Sequence, residues 1–302
     1  MSTMLVAKKD FEDALQERTL WALTAVIAIV TSVLAYSLVN VDLLAIFWPW
    51  FLTFFSGAQL QQMEFVQFYL GPAMIVIPLM ALIISHKSLI GEIESGTMNF
   101  LFSVPLSRWH IYSGKFIGRV LVLAVALTIA LIVTWIYVMF LGEDIQFSSF
   151  FMVLLASLMM GAAYVSIGFF VSAISRSQSR AVVYITGIYV FFQILLGWTN
   201  NVIHFFVHGS MFLPLVQDTG MAGGGPEDGP GWYHFIPHIA PENAFQRIVL
   251  AAQGVEPHHA PVFPEGEPYY LTPSFAVLIL VFWMAVPLVL GYVWFNRMDI
   301  SK

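Results

Sequence analysis

The 302-residue sequence contains no cysteine, which excludes disulfide crosslinks and thiolate metal sites. Charge is also scarce. Only 10% of residues are Asp, Glu, Lys or Arg, against roughly 25% in a soluble domain, so a solvated globular fold is excluded. Basic residues are the scarcest: 12 Lys and Arg stand against 18 Asp and Glu, a net charge of -6, which argues against nucleic acid as a partner. A phosphate-cradling G-x-x-x-x-G-K-[ST] loop is missing too. Gly114-Lys115 is followed by Phe116, and Trp109 occupies the place of the first glycine. The chain therefore has no ATP-hydrolysing motif of its own and is not read as an enzyme.

What the sequence has instead is apolar: 59% hydrophobic residues and 16% aromatic. Runs of about 20 residues, enough to cross a hydrocarbon core of about 30 Å as helix, occur at Leu20–Val39, Phe65–Ser85, Ile111–Leu141, Phe150–Ile174, Ala181–Thr199 and Leu271–Phe295. The predicted fold class is an all-α integral membrane protein with six transmembrane helices. The third run is longer than a span needs, so it tilts or projects from the bilayer. Ionisable side chains are essentially absent from the runs. Tyr164 and Gln193 are poor catalytic substitutes, which argues against an intramembrane enzyme and a proton-coupled carrier. Ser157, Gly161 and Gly168 predict close helix approach.

Charge asymmetry sets the orientation, because loops rich in Lys and Arg stay cytoplasmic. With six spans and the N-terminus inside, 11 of the 12 basic residues are cytoplasmic and only Arg247 lies outside. Counting Leu43–Ala58 as a seventh span would move Lys87 through Arg119 outside, so that stretch is read as an interfacial or re-entrant segment on the outer face. Of the 18 acids, 11 fall outside, Glu242 among them. The expected location is the plasma membrane, multi-pass, with both termini cytoplasmic. A cleaved signal peptide is not expected, since the leader mixes Asp10, Glu12, Asp13 and Glu17 with its basic residues.

The chain reads as one transmembrane domain, 1–302, with three extramembrane features. Residues 1–18 form an interfacial helix with Phe11, Ala14 and Leu15 on its apolar side and Asp10, Glu12, Asp13, Gln16 and Glu17 on the other. Residues 86–110 form a cytoplasmic loop with a small helical element. Residues 200–270 form the largest outer segment, which contains a turn-rich "GMAGGGPEDGPG" and then "PENAFQRIVLAAQG". The latter predicts a short amphipathic helix with Phe245, Ile248, Val249 and Ala252 on one face.

The loop "GEIESGTMNFLFSVPLSRWHIYSGKFIGR" resembles the signature loop of ABC-2 type permeases. An acidic Gly-Glu segment, a Gly-Thr pair, a short apolar run, Pro, a basic residue and Gly-Lys follow in that order. The resemblance implies a partly re-entrant outer segment before the last helix and a coupling helix that docks on a separate cytoplasmic ATPase subunit, which would bind ATP and Mg²⁺. Carried over by position, the coupling residues are Glu92, Glu94, Gly96, Thr97, Pro105, Arg108, Gly114 and Lys115, with the two acids as the expected ATPase contacts. It also implies two permease chains, expected as a homodimer, since one set of six spans engages one ATPase. The implied activity is outward transport of a substrate, with an outer-face accessory protein and membrane lipid as further partners.

Within the family, "VAKKDFEDALQERTLWAL" and "APENAFQRIVL" look most like the permease of the copper transporter that serves nitrous oxide reductase maturation. The outer histidines point the same way. They are His204-x3-His208, His234-x3-His238 and His258-His259, and i, i+4 histidines on a helix share a face that can bind one metal. Imidazole with Met211 or Met221 suits copper. The competing reading is interfacial packing of these histidines beside Trp198, Phe205, Phe206 and Trp232. Export of a drug, lipid or other amphiphile stays open. So does a haem- or metal-bearing membrane anchor, although His86 and His110 lie outside the spans.

Overall fold

In a computed structural model, the described residues are 3–39, 65–98, 107–140, 147–196, 202, 205–206, 235–236, 238–252 and 269–298. Among them every regular element is helical. The order is α1 (Thr3–Leu15), α2 (Arg18–Val39), α3 (Phe65–Ser85), α4 (Ile90–Glu94), α5 (Arg108–Phe140), α6 (Phe147–Ile174), α7 (Gln178–Val190) running into a π turn (Phe191–Leu195), α8 (Pro241–Ala252), a 3₁₀ turn (Tyr269–Leu271) and α9 (Pro273–Arg297). Four stretches are individually long and apolar enough to cross a membrane: Tyr69–Glu94, Arg108–Phe140, Phe147–Ile174 and Pro273–Arg297. The molecule is an all-α, multi-spanning membrane protein. Leu43–Ala58 lies outside the described residues.

The core sits around α6. Its apolar residues face all directions, as a helix buried on every side requires, and it packs against α9, α3, α5, α8 and α7. The small residues do what their size predicts. A Cβ on Gly168 would lie 1.8 Å from Ser85 Oγ, and one on Gly161 would lie 2.4 Å from Leu123 Cδ2. Ser157 Oγ meets Tyr69 Oη at 3.1 Å. Buried hydroxyls also join α2 to α5, where Thr31 and Thr134 are 2.7 Å apart.

Three sequence expectations change in the structure. On α1 the buried positions are Ala7, Asp10 and Ala14, so Asp10 belongs to the packed face and not to the solvated one. Its cationic partners on α5, remote in sequence, outweigh the preference of an isolated acid for water. On α8 the buried positions are Pro241, Glu242, Ala244, Phe245 and Val249, whereas Ala252 is exposed. The packed face is thus rotated towards the helix start, and Glu242 is not an outer-surface acid. The fifth run begins earlier than hydropathy alone predicts, at Gln178, because Ser177 caps it by accepting the Arg180 amide at 3.3 Å.

Candidate functional site

Two glycines bring α1 onto α5. A Cβ on Gly114 would come within 2.8 Å of Val6 Cβ and 2.9 Å of Thr3 O, and one on Gly118 within 2.9 Å of Ala7 O. Lys115 and Arg119 each follow one of these glycines, so they share an i, i+4 flank of α5 at the crossing. That flank meets Asp10. Lys115 Nζ is 3.4 Å from Asp10 Oδ1, and Arg119 Nε is 2.9 Å from Asp10 Oδ2. Lys115 also pairs with Glu92 at 2.5 Å, and Arg119 with Glu17 at 3.0 Å. Three acids therefore enclose two cations, and all but Glu92 and Glu17 are at least nine-tenths buried.

The network also closes helix ends. Arg119 Nη1 donates to Ile84 O at the end of α3 (2.9 Å), one of the carbonyls that a helix C-terminus leaves without an internal partner. Arg108 does the same for α9, donating to the carbonyls of Phe295, Asn296 and Met298 at 2.9–3.0 Å. His86, just past α3, is buried and hydrogen-bonded through Nδ1 to Ile83 O at 2.8 Å.

Helix α4 is held at three points. Its first amides, on Leu89 and Ile90, both donate to Ser172 Oγ of α6 at 3.0 Å. Glu92 reaches back to Lys115 of α5. Glu94 Oε1 accepts the Gln178 amide at 3.0 Å, placing a carboxylate at the positive end of α7. Gly96 ends the helix in the left-handed region (φ +74), a conformation open to glycine without a Cβ penalty. Its amide donates to Ile93 O at 3.2 Å. Glu94, Ser95, Gly96 and Thr97 then form an exposed tip before Met98 turns back into the core.

The structure thus gathers Glu92, Arg108 and Lys115 into internal contacts, puts Glu94, Gly96 and Thr97 at the tip, and places Gly114 at the α1 crossing. Pro105 lies outside the described residues. So do His204, His208, His234, His258 and His259. His238, the one described member of that set, has its ring 6.2 Å from that of Tyr270. Among the described residues no three His, Asp or Glu side chains are grouped to hold a metal. Asp10, Glu17, Arg119, Ser172 and Gln178 were not picked out as site residues by the sequence. The signal that could have found the first three is the register of Gly114-x3-Gly118 beside Lys115-x3-Arg119, which predicts a close helix carrying an acid.

Comparison with known proteins covers nearly the whole chain. A family profile described as "ABC-2 family transporter protein" matches residues 4–300. The chain belongs to that family. It is a membrane permease subunit. This permease is 25% identical over 200 residues to a protein named "Probable ABC transporter permease protein NosY" from Pseudomonas aeruginosa, covering 63% of this chain and 66% of that one. It is 28% identical over 127 residues to the protein of the same name from Stutzerimonas stutzeri, covering 41% and 46%. The permease therefore spans less than two thirds of the length of either relative. The exposed tip of α4 lies in the loop that carried the family resemblance.

Proposed function

We propose that the permease is the membrane half of an ATP-driven exporter, with α4 as its coupling helix. The observation that carries this reading is the combination of an exposed tip at Glu94–Thr97 with a rigid attachment to α5, α6 and α7 and, through Lys115, to α1. A push on the tip from an ATPase subunit is transmitted to four helices at once. Binding and hydrolysis of ATP in that subunit then bias the permease between inward- and outward-facing states through differential contacts. Six spans, two permease copies and cytoplasmic termini complete the proposal.

The chain is naturally free of cysteine, so single reporters test it directly. A cysteine at Ser95 should react with a membrane-impermeant thiol reagent only after lysis, and its labelling should fall at least about fivefold when the ATPase is bound. A cysteine at Ala222 should react in intact cells. Labelling of Ser95→Cys from outside, or indifference to the ATPase, would reject the reading.

The substrate we propose is copper-related, resting on the histidine spacing and the sub-family likeness. Replacing His204 and His208 by Ala should then weaken copper binding to the purified permease about tenfold or more, whereas His110→Ala should not. Binding should also fall between about pH 7 and pH 5 as imidazoles of reference pKa near 6.5 take up protons. Equal titration curves for all three proteins would leave an exporter of an amphiphile as the better reading.

A further inference from the structure

Glu242 is 5% exposed and stands in the first turn of α8, which begins deep in the bundle. Trp283, ten residues into α9, donates its indole N–H to Ile239 O at 2.8 Å, just ahead of that turn. Two other helical segments converge on the carboxylate. Tyr164, far from either end of α6, donates its hydroxyl to Glu242 Oε1. Gln193 Nε2 donates to the same oxygen at 3.0 Å and to Met74 O of α3 at 2.7 Å.

The Met74 carbonyl is free for this bond because Pro78, four residues on, has no N–H to offer it. Gln193 lies within the π turn Phe191–Leu195, a local irregularity of the kind that often marks functional positions in helices. Tyr189, one turn earlier, donates to Ile75 O at 3.2 Å. A proline within α3, a π turn and a buried acid are thus fitted to one another.

The second carboxylate oxygen, Oε2, is buried and has no hydrogen-bond partner among the described residues. Glu242 is also in none of the ion pairs formed by those residues. An anion left so is costly, because burial removes its hydration and the hydrogen bonds to Oε1 replace only part of it. A proton on Oε2 removes the charge while Oε1 still accepts both hydrogen bonds.

We propose that Glu242 is a proton-binding site inside the permease, neutral while α8 is docked and ionised when α8 moves out into water. At pH values where the docked carboxyl is protonated and the hydrated one is not, each such opening releases one proton to the solvent and each closure takes one up. The groups facing the site agree. Tyr164 on α6 and Tyr189 on α7 are its titratable neighbours, α3 presents carbonyls and α9 an indole. On α8 itself the charged residue is Arg247, five positions on, and His238 precedes the helix beside Tyr270.

Burial pushes the Glu242 carboxyl from its ordinary 4.5 up to about 7. Docking is therefore at full strength below about pH 4.5, weakens as pH rises towards 7, where only the undocked form has ionised, and changes little above that. The release of protons to the outer solution rests on the orientation proposed above, but the site does not.

The test uses the purified full chain without an ATPase, so its failure leaves the exporter reading untouched. A single cysteine at Ala244, 2% exposed on the docked face of α8, is labelled alongside one at exposed Ala251, which corrects for thiol ionisation. The ratio of the two rates should rise on the order of 50-fold from about pH 5 to about pH 8. In Glu242→Gln it should stay flat. Infrared spectra of the wild type should show a protonated-carboxyl band at about pH 6 that disappears by about pH 9. A flat ratio in the wild type, a pH-dependent ratio in Glu242→Gln, or no titrating band would each overturn the proposal.

Discussion

Replacing Asp10 by Leu is expected to free α1 from the bundle and to destabilise the protein by about 3–5 kcal/mol. Asp10 is the acid shared by Lys115 and Arg119, whose side chains are 4% and 9% exposed. Without it Lys115 retains Glu92 and Arg119 retains Glu17, but those partners are themselves 27% and 36% exposed and satisfy only the outer side of each cation. On the buried side Arg119 keeps only the neutral Ile84 carbonyl, and the charge there is left without a counter-ion. By contrast, Glu12→Ala on the same helix removes a solvated pair with Lys8 at 3.8 Å, with side chains 71% and 59% exposed. It should change stability by less than about 0.5 kcal/mol.

Hydrogen exchange over residues 3–15 together with thermal unfolding in detergent reads both effects. The triple variant Asp10→Leu, Lys115→Met, Arg119→Met should recover most of the loss, because the three buried members of the ionic group go together and the acids that stay, Glu92 and Glu17, are the more exposed ones. Comparable stability of Asp10→Leu and Glu12→Ala would mean that the network is decorative.

The triple variant separates packing from coupling. In it α1 is docked again, but Glu92 no longer holds α4 to α5, while the Ser172 and Glu94 contacts remain. Transport that survives in the triple variant would assign coupling to α6 and α7. Transport that is lost while the fold is kept would assign it to the Lys115–Glu92 bond.

Four of the six expected spans were legible because a bilayer imposes one strong constraint, a long apolar helix, and apolar runs report it directly. The starts of α3 and α5 and the end of α6 fall within three residues of the hydropathy limits. The polar contacts were not legible for the complementary reason. Asp10, Lys115 and Arg119 meet through tertiary packing, and an acid at helical spacing from other acids reads as a solvated face until its partner helix is known. Glu242 was hidden differently. It sits outside every apolar run, so a search of the spans for ionisable groups passes it by, yet α8 carries it between Tyr164 and Gln193. Those two residues, noticed in the sequence only as weak polar groups, are the ligands of an acid from another segment. The helix-end contacts of Ser172 and Glu94 have no local sequence signature, since each caps a helix far away in the chain.

Gly114→Ala combined with Gly118→Ala should detach α1 even though every charge is kept. The Cβ at Gly118 would meet the Ala7 carbonyl at 2.9 Å, and the one at Gly114 would meet Thr3 O at 2.9 Å and Val6 Cβ at 2.8 Å. Two of these are backbone atoms and the third is fixed to the backbone, so no rotamer change relieves them and α1 must move as a body. Overpacking of this kind costs typically about 1–3 kcal/mol per site, and the displacement also stretches the Asp10 bonds, which fall off steeply beyond their present 2.9–3.4 Å.

Gly187→Ala is the control. A Cβ there meets nothing within 4 Å, so only helix propensity acts, and the substitution should stabilise α7 by about 0.5–1 kcal/mol. If the double alanine variant and Gly187→Ala unfold at the same temperature with equal protection of residues 3–15, α1 is a loosely attached helix. The two glycines would then have no role in bringing Asp10 to its cations.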